Sequence, residues 1–198
     1  MRVLVACEFS GVVRRAFRER GHDAWSCDLL PAEDGALWHL QHDVLTQLKR
    51  GRAENWDLMI AFPPCTHIAV SGARYFAEKR TDGRQQAAID FFMALANAPI
   101  PRIAIENPVG IMSTKWRRPD QTIQPWQFGH PESKTTCLWL KNLPPLKRTN
   151  VLPLPKSGRW SNQTPSGQNK LGPSPERAQN RGRTYEGIAK AMASQWGG

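Results

Sequence analysis

The feature that most constrains this chain repeats along its first 140 residues: a short apolar run, a polar residue at the run's end, then an amphipathic stretch. Residues 2–7 (RVLVAC) are apolar and β-branched, as a strand covered on both faces requires. Residues 24–27, 57–62 (DLMIAF), 102–105 (RIAI) and 135–140 (TTCLWL) read as further strands. Between them, residues 11–20 (GVVRRAFRER) place Val12, Val13, Ala16 and Phe17 on one helical face and arginines on the other, and Gly21 closes that helix. Residues 44–50 form a short helix after Asp43. Residues 84–96 form a longer one, with Ala88, Phe91, Phe92 and Leu95 on one face and Pro99 and Pro101 beyond its end. Residues 186–196 form a terminal helix. Alternation of this kind predicts an α/β fold, an open and mostly parallel twisted sheet with flanking helices. Ligands of such sheets bind outside the carboxyl ends of the strands.

The polar residues of interest fall at those ends. After the first strand comes Glu8-Phe9-Ser10-Gly11, where glycine permits a tight turn and close approach of a ligand, or simply a β-to-α turn. Asp28 follows the second strand, placed to accept hydrogen bonds from a ribose diol. Asp43 suits an adenine amino group, or the N-cap of the helix that follows it. After residues 57–62, Pro63-Pro64 stiffen the chain and hold the thiol of Cys65 at the sheet's edge. That thiol is a buried structural cysteine or a nucleophile. Glu106-Asn107-Pro108 follows the next strand, as a surface turn or as a carboxyl and carboxamide matched to a nucleobase edge. The four cysteines, Cys7, Cys27, Cys65 and Cys137, form no CxxC pair and no zinc pattern. His67 and His130 are expected as loop residues.

Charge points to the partner. Lys and Arg number 27 against 17 Asp and Glu, a net charge of +10, and the window 141–183 carries nine bases and one acid. That window also holds seven prolines and little apolar periodicity, so it reads as loop-rich or as a disordered linker. An excess of this size favours a polyanion, nucleic acid first. No stretch approaches 18 apolar residues, and the start is too short and too soon acidic for a secretory signal, so a cytoplasmic protein without a membrane partner is expected. Trp126 and Trp160 would pack, or stack on bases.

Over residues 3–140 and 183–196 the sequence resembles the cytosine-C5 DNA methyltransferases. Phe9-x-Gly11 is similar to the first half of that family's FxGxG cofactor loop, with Val13 in place of its second glycine. Pro63-Pro64-Cys65 resembles the catalytic loop, with Ser71-Gly72 as its later Ser-Gly and Thr66 where a Gln usually follows the cysteine. Glu106-Asn107-Pro108 resembles the Glu-Asn-Val motif. Phe128–Lys134 is similar to YGVPQxR, and Thr136 stands where that segment's last arginine falls. Arg183–Ala189 stands in for the last cofactor motif.

The resemblance implies a Rossmann-like fold that uses S-adenosyl-L-methionine, held by Phe9, Ser10, Gly11, Asp28, Leu29, Asp43, Pro63 and Thr184. It implies a Cys65 attack on cytosine C6, Glu106 at the base N3 and N4, and Asn107 fixing the loop or the base. Lys134, or Arg181 or Arg183, would replace the missing arginine, and Pro64, Ser71, Arg181 and Arg183 would contact substrate. It divides the chain into a catalytic and cofactor-binding core at 1–140, a basic segment at 141–183 in place of a recognition domain, and a helix at 184–198 returning to the core. DNA is the first substrate. Single-stranded nucleic acid, RNA, a free cytosine nucleotide, a transferred group other than methyl, and an inactive nucleic-acid-binding relative stay open.

Overall fold

The computed structural model describes residues 1–49, 55–165, 170 and 182–198. Its centre is a seven-stranded sheet made of β1 (Arg2–Ala6), β2 (Asp23–Asp28), β3 (His39–Gln41), β4 (Leu58–Ala61), β5 (Arg102–Pro108), β6 (Gln121–Ile123) and β7 (Thr136–Lys141). The strand order is β3-β2-β1-β4-β5-β7-β6. The first five of these are parallel; β7 runs antiparallel to β5, and β6 antiparallel to β7. The order reverses between β1 and β4, which opens a crevice at their carboxyl ends.

Period-two alternation in β1 explains the layers. Val3 and Val5 face one core with Leu58, Ile60, Ala104 and Leu138, and Leu4 and Ala6 face the other with Met59, Ala61, Ile103 and Ile105. Helices α1 (Val12–Arg18) and α6 (Glu186–Trp196) cover the first face through Val13, Phe17, Ile188, Met192 and Trp196. Helices α2 (Val44–Gln47) and α4 (Arg84–Ala96) cover the second through Val44, Phe92 and Leu95. Two short helices, α3 (Phe76–Thr81) and α5 (Met112–Lys115), follow β4 and β5. No described helix is long and apolar enough to cross a membrane.

Three details differ from the sequence expectation. β5 continues through Pro108, so Glu106 and Asn107 lie in the strand and not in a turn; β7 extends the ladder by pairing Leu138 with Glu106 and Cys137 with Asn107. Arg14 is fully buried, not on the outer face of α1; Ser26 and Asp34 take its two terminal nitrogens, while its Nε has no hydrogen-bond partner among the described residues. α2 ends at Gln47, and Arg50 lies outside the described residues.

The described residues 141–165 of the basic window are tied to the core. Leu146 exchanges hydrogen bonds with Gln121, Lys147 with Gln195, and the Asn162 side chain with the backbone of Ser133. Trp160 is buried and stacks on Trp126 at 6.4 Å, so it packs.

Candidate active site

β4 delivers its chain directly into Phe62-Pro63-Pro64-Cys65, and its neighbour β5 ends in Glu106-Asn107-Pro108. Ala61 and Ile105 are paired in register, so the two segments leave the sheet side by side. Asn107 joins them: its buried side-chain Nδ2 donates to the Pro63 carbonyl at 2.8 Å. Proline supplies a carbonyl that its own ring stiffens, and a buried carbonyl needs a donor. Beyond Cys65 the latch continues. Ala69 bridges Gly110, Val70 N donates to Val109 O at 3.0 Å, and Ile111 N donates to Ile68 O at 2.9 Å. A Cβ at Gly110 would collide with the Ile68 carbonyl, so only glycine allows this approach.

Cys65 is half-buried, and its carbonyl accepts from Ile68 N and Ala69 N. All four cysteines are thiols. Glu106 is half-buried with its carboxyl raised by burial, while the Lys134 charge and a hydrogen bond with Thr136 pull it back. Thr136 and Lys134 reach Glu106 because β7 is antiparallel, which brings its first residue to the carboxyl end of β5. The Lys134 backbone is fixed by Gln124, whose Oε1 accepts from its N–H at 3.0 Å. Pro64 and Ser71 are exposed nearby in chain order, Ser71 within the 3-10 turn Val70–Tyr75.

A second cluster forms at the ends of β1 and β2. Gly11 adopts φ +69, and the space its missing Cβ leaves is filled by the Arg14 guanidinium. Ser10 is buried and Phe9 half-buried. Phe9 O accepts from Glu33 N at 3.0 Å, and Glu33 pairs with Arg183. Asp28 is half-buried at the end of β2, where its Oδ1 accepts from Leu30 N at 2.9 Å. Leu29 beside it is 71% exposed. Asp43 caps α2, accepting from Leu45 N, Thr46 N and the Thr46 hydroxyl. Thr184 is half-buried just before α6. Arg181 lies outside the described residues.

No family model matches this sequence, and no curated protein matches it. Among solved structures, the chain is similar to one described as a "putative DNA modification methyltransferase encoded within prophage", from E. coli. The TM-score is 0.53 at 18% identity, over 78% of this chain and 52% of that one. The fold is Rossmann-like. This chain spans about half the length of that protein, and the likeness is one of fold.

Several residues of these clusters carry no motif. Glu8 is buried and accepts from Val13 N at 2.7 Å and Arg14 N at 3.3 Å. Burial pushes its carboxyl up to about 7 against those donors and the charges of Arg14 and Arg15. Burial also pushes Asp34 up, but its bonds to Arg14 and Arg15 outweigh that and bring it down to about 2. Arg14 further donates to Ser26 Oγ at 2.7 Å, which meets His39 Nδ1 at 2.8 Å. An acid just ahead of a helix start was the one available signal, and it singled out Glu8 only as part of a turn. Tyr185 donates to Glu132 at 2.5 Å, and burial with that carboxylate pushes its phenol up. Gly187 N donates to His130 Nε2 at 2.9 Å, which docks the Phe128–Lys134 segment on the start of α6.

Proposed function

We propose that this chain is an S-adenosylmethionine-dependent methyltransferase acting on C5 of cytosine in DNA, with Cys65 as the nucleophile. The observation that carries this reading is the Asn107–Pro63 hydrogen bond, which ties the loop of the thiol to the strand end of a carboxyl that burial raises above its ordinary value. The net charge of +10 and the fold shared with a protein described as a DNA modification methyltransferase support the same reading.

The cofactor fits the residues at the ends of β1 and β2. Asp28 offers an acceptor for a ribose diol, and the exposed Leu29 beside it offers an apolar face for a purine. Phe9, Ser10, Gly11, Pro63 and Thr184 would complete the site, and the place of Asp43 rests on the resemblance alone, since its carboxylate caps α2. When bound, S-adenosylmethionine supplies an electrophilic methyl group.

The chain's own residues make C5 able to accept it. Cytosine C5 is a poor nucleophile. The Cys65 thiolate adds to C6, the electron pair moves toward N3, and Glu106 donates its proton there. The resulting enamine is nucleophilic at C5. Once C5 has taken the methyl group, loss of the C5 proton expels Cys65 as thiolate, and return of the N3 proton to Glu106 restores the ring. Lys134, whose charge acts on Glu106, stands nearest the role of the arginine that Thr136 replaces. In duplex DNA the base must first leave the stack.

One observation favours a second substrate class. Among the described residues of 142–165 there is no helix or strand that would enter a groove, which suits single-stranded nucleic acid, RNA or a nucleotide. Incubation with labelled S-adenosylmethionine and, in turn, duplex DNA, single-stranded DNA, RNA and dCMP separates the readings. Label in duplex DNA is expected. Label confined to the nucleotide would overturn the DNA reading, and no label with tight, salt-sensitive binding would point to an inactive binder. Cys65→Ala abolishes transfer, and Glu106→Gln lowers the rate by roughly 10²–10⁴. Undiminished transfer in Cys65→Ala would refute the mechanism.

A further inference from the structure

Lys79 is a buried lysine that the cytosine chemistry above does not use. It lies on α3, is 7% exposed, and donates from Nζ to the Thr66 carbonyl at 2.6 Å. A Cβ on Gly72 would stand 3.2 Å from the same Nζ, so the amine sits inside the loop, between Thr66 and Gly72. Among the described residues no carboxylate pairs with it, and its other partner is the Tyr75 ring at 5.8 Å. Long basic side chains usually keep their heads in water. A buried one with no acid beside it leaves its charge to act on whatever lies near.

What lies near is Cys65, the residue before Thr66. Backbone dimensions keep the two groups within roughly 10 Å. Among the described residues around the loop, Glu78 and Asp82 share the Arg84 guanidinium and not Lys79, and burial raises the Glu106 carboxyl toward its neutral form.

We infer that Lys79 is a positioning residue for Cys65: its buried positive charge favours the thiolate over the thiol. The inference rests on the reading of Cys65 as the nucleophile.

The test needs neither cofactor nor nucleic acid. Alkylation of Cys65 by iodoacetamide is followed by mass spectrometry of its peptide across the range of thiol ionisation. In the unmodified sequence the apparent pKa lies below the ordinary value of about 8.5. Lys79→Gln, which can keep the hydrogen bond but not the charge, raises it by about one unit and slows alkylation about tenfold on the acid side. Lys79→Arg keeps the profile, and His67→Asn leaves it in place. A Lys79→Gln profile that superposes on the parent overturns the inference. So does a Lys79→Arg profile that shifts as far, since loop shape and not charge would then be responsible. Should Lys79→Gln not fold, a parent value at or above the ordinary one overturns it alone. A lowered Cys65 without methyl transfer to any nucleic acid would leave this inference standing and remove the proposed function.

Discussion

Glu8 shows how a single side chain can set a pH response. It is buried, and its carboxyl is raised to about 7 from an ordinary 4.5. Between those values the folded chain holds a proton that the unfolded chain has lost, so stability falls as pH rises through the window. The full shift corresponds to about 3 kcal/mol, present below pH 4.5 and gone above pH 7. Chemical unfolding at pH 5 and pH 8 is expected to show this drop in the parent and a much smaller one in Glu8→Gln. Equal drops in both would assign the response to other groups. Asn107→Ala is expected to cost about 1–3 kcal/mol, the cost of leaving the buried Pro63 carbonyl without a donor. Neither the burial of Glu8 nor the Asn107 bond is visible in sequence. Glu8 lies in an ordinary turn tetrapeptide, and what buries it is α1 folding its first amides over the carboxyl. Asn107 acts on a residue 44 positions away. Asp28, by contrast, was legible, because a buried strand must end somewhere and an acid marks its end.

At the scale of elements, the pieces with strong local signals fell where their patterns put them. The helices Arg84–Ala96 and Glu186–Trp196 have the predicted bounds, and β1, β2 and β4 fall within a residue or two of theirs. β3 and β6 are three residues each and carry no alternation long enough to read. β5 was cut short because Glu106 and Asn107 look like turn residues until β7 supplies their partners. Two glycines test how elements dock. A side chain at Gly110 would strike the Ile68 carbonyl, and one at Gly187 would strike the Phe128 carbonyl. Gly110→Ala is expected to loosen the Cys65 loop, seen as faster amide exchange at Ile111 and Val70, with α6 unaffected. Gly187→Ala is expected to lower the melting temperature, because α6 belongs to the central core. Exchange at Ile111 unchanged in Gly110→Ala would mean that the loop is held from elsewhere.

For the whole molecule, charge and core divide the chain differently. The exposed Lys147, Arg148 and Lys156 ride on a segment fixed to the sheet, so they form a constant electrostatic surface. If they meet phosphates, replacing all three with Gln is expected to lower the slope of log affinity against log salt by up to about 3. An unchanged slope would remove this segment from the nucleic-acid interface. The core, however, closes with the last helix. Phe17 and Val13 of α1 share one cluster with Ile188, Met192 and Trp196 of α6. On the ribosome, then, the apolar side of α1 is made early and covered late. At roughly 5–20 residues per second, about 10–35 s separate the synthesis of Phe17 from that of Trp196. For that interval the emerging polypeptide carries a bare greasy stripe that α6 has yet to cover.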